Sequence, residues 1–247
     1  MEEKKKKLVV LSGAGMSAES GIATFRDSGG LWENYPVEQV ATPEGFRENP
    51  QRVLDFYNMR RRELLKAQPN EGHIALAQLE EHFDVRIITQ NIDNLHEQAG
   101  STQVLHLHGE LMKARSSGDE SLVYELSPDH CDIKLGDLCE KGYQLRPHIV
   151  WFGEMVPMIS EAAQWVGQAD YFVIIGTSMN VYPAAGLQGY VHSGVPIYLI
   201  DPKEVHTGRS DVVFIRKGAS EGVRELRRRL YIHNPSLITH HFFSYLC

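Results

Sequence analysis

"KLVVLSGAGMSAESGI", residues 7–22, reads as a strand, a tight glycine turn and the start of a helix. The opening run is short, apolar and partly β-branched, as in strands buried on both faces of a parallel sheet. Gly13, Gly15 and Ala18 follow it directly, in the G-x-G-x-x-G/A spacing of a dinucleotide site. Glycine there lets backbone approach a pyrophosphate, whose charge the next helix terminus favours. One part of the dehydrogenase pattern fails. A second strand ending in a ribose-binding acid is due about 20 residues later, yet the next strong strand run starts near residue 85. An acidic strand end comes only at Asp201, in "YLID". The dinucleotide fold is therefore expected to be split by an insertion.

Runs similar to the first stand at 85–91, 171–178, 196–201 and 211–218, with helical patterns at 73–83 and 221–230 between them. The alternation predicts an α/β fold: a Rossmann-like, doubly wound parallel sheet with ligands at its carboxyl ends and a smaller inserted subdomain. We expect one domain over 1–247. Its core takes about 5–30, 73–108 and 150–230, the insertions about 31–72 and 109–149, and the tail 231–247. The net charge of −7 argues against nucleic acid. No apolar run reaches the about 18 residues of a membrane span. The start "MEEKKKKLVVLSGAG" suits a strand better than a signal peptide, its apolar run being too short. Three cysteines, Cys131, Cys139 and Cys247, suit a reducing cytoplasm. A cytoplasmic monomer is expected.

Polar residues gather at the strand ends. "TQNIDNLH" (89–96) sets Gln90, Asn91 and Asp93 just past a strand, and "VLHLHGEL" (104–111) carries His106 and His108 two apart, on one face if extended. His108, followed by Gly109, sits where the strand opens and is the catalytic candidate; His106, deeper, is the structural one. "NPQRVLDFYNMRRRELLKAQP" (49–69) reads as one helix with Asn49 as cap and Pro50 at its first turn. Its apolar face holds Val53, Leu54, Phe56, Tyr57, Leu64 and Leu65. Arg60 and Arg61 fall inside that face and Arg62 outside it.

Five segments in this order resemble the sirtuins, NAD-dependent protein-lysine deacylases: "GAGMSAESGIATFRDSGGLW" (13–32), "TQNIDNLH" (89–96), "LHGEL" (107–111), "RPHIVWFGE" (146–154) and "GTSMNVYPAAG" (176–186). The resemblance spans about residues 5–230 and is strongest to bacterial members of the desuccinylating class. It implies NAD as co-substrate, with Gly13, Ala14, Gly15 and the helix after them holding the pyrophosphate, Arg26 near the phosphates and ribose, Phe25 shielding the reacting ribose carbon from water, and Ser17, Glu19, Thr24 and Trp32 as further cofactor contacts. Gln90, Asn91, Ile92 and Asp93 would orient the nicotinamide half. Gly176, Thr177 and Ser178 would contact the cofactor, with Asp201 and Ala219 near the adenosine. His108 would be the general base, with Asn91 and Asp93 as its catalytic company. Val150, Phe152, Gly153 and Glu154 would line the acyl-lysine channel and pair with an acylated protein or peptide as a strand.

In the desuccinylating class, an Ala before Thr-Pro and a Tyr and Arg three apart on one helix line the acyl pocket. Ala41, Tyr57 and Arg60 match that pattern. A guanidinium aimed inward needs an anion, which a succinyl or malonyl carboxylate supplies through paired hydrogen bonds. The alternative is pairing with Asp55 or Glu63, or snorkelling to solvent; Arg61 is expected to be structural. Most sirtuins also carry a zinc module with two C-x-x-C-like pairs. Here only Cys131 and Cys139 stand in that segment, with His130 as a conceivable third ligand, so no zinc is expected. Packing of Leu122, Val123, Tyr124, Ile133, Leu135, Leu138 and Tyr143 is expected to hold the segment instead. Asp201 stands where many sirtuins have Asn. The tail, with His240 and His241, has no counterpart. Two other readings use the same NAD site: mono-ADP-ribosyl transfer and a non-catalytic NAD or ADP-ribose sensor.

Overall fold

The computed structural model describes residues 4–24 and 35–232. Phe25, Arg26, Trp32, Cys247 and the His240–His241 pair lie outside them. The main sheet is six-stranded and all parallel. Its strands are β1 (Lys7–Ser12), β2 (Asp84–Thr89), β3 (Val104–His106), β7 (Tyr171–Ile175), β8 (Ile197–Ile200) and β9 (Val212–Ile215), in the order β3-β2-β1-β7-β8-β9. Alternate residues feed opposite cores. Leu8, Val10, Val173 and Ile175 pack under helices α4 (Glu71–Gln78) and α7 (Ala219–Ile232). Val9, Leu11, Phe172 and Ile174 pack under α6 (Ile159–Val166). Burial on both faces is why these strands are unbroken apolar runs. The strand order reverses between β1 and β7, which opens a crevice at their carboxyl ends.

A second, antiparallel sheet, β5-β4-β6, is built from β4 (Gly109–Ser116), β5 (Val123–Glu125) and β6 (Leu145–Ile149). Helices α1 (Val37–Val40), α2 (Pro43–Glu48) and α3 (Pro50–Leu64) share a core with it that includes Tyr57, Leu111, Ile149 and Trp151. Asn49 caps α3 by accepting from the Arg52 amide at 3.0 Å. The helix stops at Leu64, short of Pro69, because residues 65–69 turn the chain toward Asn70, which caps α4. Leu65, expected in the apolar face, is therefore exposed.

Arg61 is fully buried. It donates to the Leu111 carbonyl (2.6 Å) and to Asn58 Oδ1 (2.6 Å). Asn58 in turn clasps both backbone groups of Ile133, at 2.9 and 3.0 Å. This clasp corrects the expected packing of the segment that lacks the cysteine pairs. Only Ile133 of the seven named residues enters a core, with Leu54 and Ala114; Val123, Leu135, Leu138 and Tyr143 are exposed. Polar ties do the rest: Cys139 Sγ to Ser116 Oγ (3.3 Å), Lys141 to Asp119 (2.6 Å) and Tyr124 to Glu140. Cys131 and Cys139 are buried free thiols. Among the described residues no three His, Cys, Asp or Glu side chains group to hold a metal ion, and no helix is long and apolar enough to cross a membrane.

Candidate active site

Nine stretches of chain meet at the crevice around a cavity of about 590 Å³, within the range of small-ligand sites. The β1 turn and the end of β7 are zipped together: Gly13 N donates to Ile175 O and Gly15 N to Gly176 O, both at 2.9 Å. A Cβ on Gly15 would lie 2.7 Å from the Gly176 Cα, and Gly176 has φ +60°. These glycines are thus required by the contact between the two turns as well as by any ligand. Gly13, Ala14, Gly15, Glu19, Thr24, Gly176, Thr177 and Ser178 all line the cavity, and so does Asp201 at the end of β8. Ala219 does not; its neighbour Gly218 does. Glu19 Oε1 accepts the Ser220 amide at 3.2 Å and so joins the first turn to the start of α7. This glycine cradle, the amides of Gln90 and Asn91 and a strand-end carboxylate fit a dinucleotide.

Gln90, Asn91 and Ile92 line the cavity, whereas Ser17 and Asp93 stand behind its wall. Ser17 Oγ donates to Asp93 Oδ2 (3.0 Å) and accepts from Asn91 Nδ2 (3.1 Å). That fixes the Asn91 amide with its oxygen left for a ligand. Gln90 Nε2 donates to Thr177 Oγ1 at 3.0 Å. Burial raises the Asp93 carboxyl above its usual range, against the Leu95 amide and Ser17 hydroxyl that hold it down.

Below this network His73 and His96, the latter on the short helix α5 (Leu95–Gln98), meet edge to face, with ring centroids 4.8 Å apart. Burial pushes His73 down to about 4 and His96 well below the usual histidine value. The unfolded chain protonates these rings near pH 6.5, the folded one only well below, so stability falls as pH drops through that window. For His73 alone the loss at pH 5 is about 2 kcal/mol. His106 works in the opposite sense: burial lowers it, but its hydrogen bond to Glu97 (2.7 Å) and the charge there raise it on balance. Urea unfolding at pH 7 and pH 5 should show the loss, and His73→Asn should shrink it. Equal stability at the two pH values would rule out a buried neutral pair.

His108 lies past the end of β3, between the two sheets, rather than on the strand itself. Its Nδ1 faces the Gln90 carbonyl at 3.0 Å. A carbonyl only accepts, so Nδ1 carries the proton and Nε2 keeps its lone pair. Burial lowers the His108 pKa, with the Gln90 carbonyl opposing. His106 instead donates from Nδ1 to the Asn91 carbonyl (3.2 Å) and from Nε2 to Glu97, a structural role.

On the side of the small sheet, Ala41, Tyr57, Arg60, Val150, Phe152, Gly153 and Glu154 line the same cavity. Arg60 is 3% exposed and donates from Nη1 to Glu63 at 2.8 Å. Burial lowers its pKa, with Glu63 opposing. Within 150–154 most amides are already used. Val150 N donates to His108 O, Phe152 N to Ala41 O and Glu154 N to Trp151 O, each at 3.0 Å. Of the groups in this segment, its carbonyls and the Gly153 amide would be left for strand-like pairing with a peptide. The Glu154 carboxylate is committed to Arg146 (2.7 Å), Arg115 (3.1 Å) and the Trp151 amide (2.8 Å). Sequence reasoning missed Trp151, Asn180, Tyr182, Lys203, Glu204 and His206, which also line the cavity. All but Trp151 follow the ends of β7 or β8 within a few residues, so the strand-end rule applied one loop further would have found them.

The Sir2 family profile matches residues 13–183, more than half of the chain. An NAD-dependent protein deacylase of Bacteroides thetaiotaomicron is 60% identical over 230 residues, covering 91% of this chain and 98% of that protein. A Sir2 homologue solved with NAD superposes with a TM-score of 0.78 at 40% identity, over 92% of this chain and 91% of the other. A Sir2 protein solved with deacetylated p53 peptide and 3'-O-acetyl ADP ribose gives a TM-score of 0.78 at 28% identity, over 91% and 94%. The split dinucleotide fold, with its histidine between two sheets, is thus shared along nearly the whole chain, which belongs to the Sir2 family.

Proposed function

We propose that the chain is an NAD-dependent protein-lysine deacylase that removes carboxylated acyl groups such as succinyl or malonyl, and acetyl as well. The observation that carries the acyl preference is the buried Arg60 guanidinium beside Tyr57 and Ala41 on the wall that leads to His108. The deacylase named from Bacteroides thetaiotaomicron and the peptide-bound Sir2 structure support the activity class. NAD, when bound, supplies a ribose carbon with nicotinamide as leaving group and a hydroxyl that receives the acyl group. Gly13, Ala14, Gly15 and Thr177 would hold its phosphates, Asn91 its ribose, and Asp201 its adenosine end. His108 Nε2 takes a proton from that hydroxyl as a neutral base. The acyl oxygen would take the place of nicotinamide on the ribose carbon, and one water would be consumed as the acyl–nitrogen bond breaks, so NAD, acyl-lysine and water give nicotinamide, free lysine and O-acyl-ADP-ribose.

Arg60 has Glu63 as a neighbour, the pairing weighed against substrate recognition. Glu63 is 45% exposed, so water sustains its charge when a substrate carboxylate takes the guanidinium. An anionic guest also offsets the desolvation of Arg60. With NAD and matched peptides, Arg60→Met should cut kcat/KM for succinyl-lysine by about 10- to 100-fold, the worth of a charged hydrogen bond. Acetyl-lysine should change by no more than about threefold. Equal losses on both peptides, or none, would sink the carboxylate reading.

A further inference from the structure

Tyr57 is the second polar group on the acyl-pocket wall, and its hydroxyl is already bound on one side. Trp151 Nε1 donates to Tyr57 Oη at 3.0 Å, where both side chains are buried. Among the described residues, the Tyr57 hydroxyl has no acceptor for its own proton. A phenol that accepts from an indole turns its O–H away from that donor. Tyr57 and Trp151 both line the cavity, so a guest there is the candidate acceptor for that proton. The indole is itself held from both ends. The Arg146 guanidinium carbon sits 3.3 Å from the centroid of the Trp151 ring. The Trp151 amide is tied to Glu154 at 2.8 Å, and the ring also meets Phe46 with centroids 5.3 Å apart. A cation over the indole face withdraws electron density and makes its N–H a better donor.

We infer that Trp151 is a positioning residue for acyl-group selection: its N–H, sharpened by Arg146, aims the Tyr57 hydroxyl as a donor to the substrate's terminal carboxylate. This inference rests on the carboxylated-acyl reading proposed above. Arg60 then supplies the charge and Tyr57 a directed neutral hydrogen bond, and Trp151 makes that bond available without touching the carboxylate. An acetyl group offers no acceptor at that depth, so its removal is indifferent to the arrangement.

Trp151→Phe keeps an aromatic ring for Arg146 and Phe46 and removes the N–H together with the pyrrole half of the indole. With NAD saturating, KM for a succinyl-lysine peptide should rise by about 5- to 10-fold. The kcat should stay within about twofold, and both constants for the acetyl-lysine peptide should not move. Because Trp151 acts through Tyr57, Trp151→Phe should add nothing in a Tyr57→Phe background. Additive effects, or equal KM changes on the two peptides, overturn the inference and leave the carboxylate reading standing. If Tyr57→Phe and Arg60→Met both leave the succinyl-to-acetyl ratio unchanged, the carboxylate reading fails and this inference with it.

Discussion

His108→Ala lowers deacylation of every acyl-lysine peptide by about 10²- to 10⁴-fold, the contribution of a positioned general base. NAD binding, measured by calorimetry, stays within about threefold. The expectation comes from how the ring is held. The Gln90 carbonyl, 3.0 Å from Nδ1, admits one neutral tautomer and leaves Nε2 as the base at the cavity. Burial lowers the pKa from the usual histidine value of about 6.5. The acid limb of kcat/KM against pH should therefore fall below pH 6.5, and the enzyme should be fully competent at neutrality. Asn91, fixed through Ser17 and Asp93, keeps the ligand side of the site in register and is not changed by the substitution. A variant with more than a tenth of normal activity would show that the base lies elsewhere. Loss of NAD binding together with activity would assign His108 to the cofactor's seat.

What could be read from the sequence depends on how far each feature reaches along the chain. The strands at 7–12, 84–89, 171–175 and 197–200 stood out because both faces are largely buried, which leaves no polar alternation to confuse the pattern; 212–215, at the sheet edge, kept an apolar run although Val213 is exposed. The glycine turn, the Gln90–Asp93 cluster and His108 were legible because each follows such a strand directly. The small sheet was not legible. β5 has three residues, and β4 carries a register shift between Gly109 and Ala114, so neither shows a clean period of two. Its binding to the rest through Asn58, Arg61 and Ile133 joins residues 75 apart, which no local pattern reports. The inward lean of Arg60 and Arg61 was visible at helical spacing. That one arginine faces the cavity and the other spans to the Leu111 carbonyl was decided by tertiary contacts alone.

The largest expected loss of stability comes from Glu154→Ala, at about 3 kcal/mol in urea unfolding, or roughly 6–12 °C in Tm for a chain of this size. Exposed pairs such as Arg47–Glu44 are worth about 0–1 kcal/mol, because water solvates each partner nearly as well. Glu154 is different. Its side chain is 18% exposed and accepts from two guanidiniums that are themselves buried, Arg115 and Arg146, as well as from the Trp151 amide. Burial alone would raise its pKa, and these partners outweigh that and hold it below the usual glutamate range. The ionised carboxylate is therefore the form the fold requires. Its contribution is present above the unfolded glutamate pKa of about 4.3 and is lost as pH falls through the lower folded value. Deleting it strands two positive charges in a dry wall, which costs more than the pair ever contributed. Glu154→Gln keeps an acceptor for the Trp151 amide but removes the charge, so it should fall between alanine and the native residue. A Glu154→Ala protein within about 1 kcal/mol of native would mean that water reaches Arg115 and Arg146 in solution. The stability loss carries a functional signature too: with Glu154 gone, only the Ile149 carbonyl (2.9 Å) still holds Arg146 near the Trp151 ring, and selectivity for carboxylated acyl groups should fall before acetyl removal does.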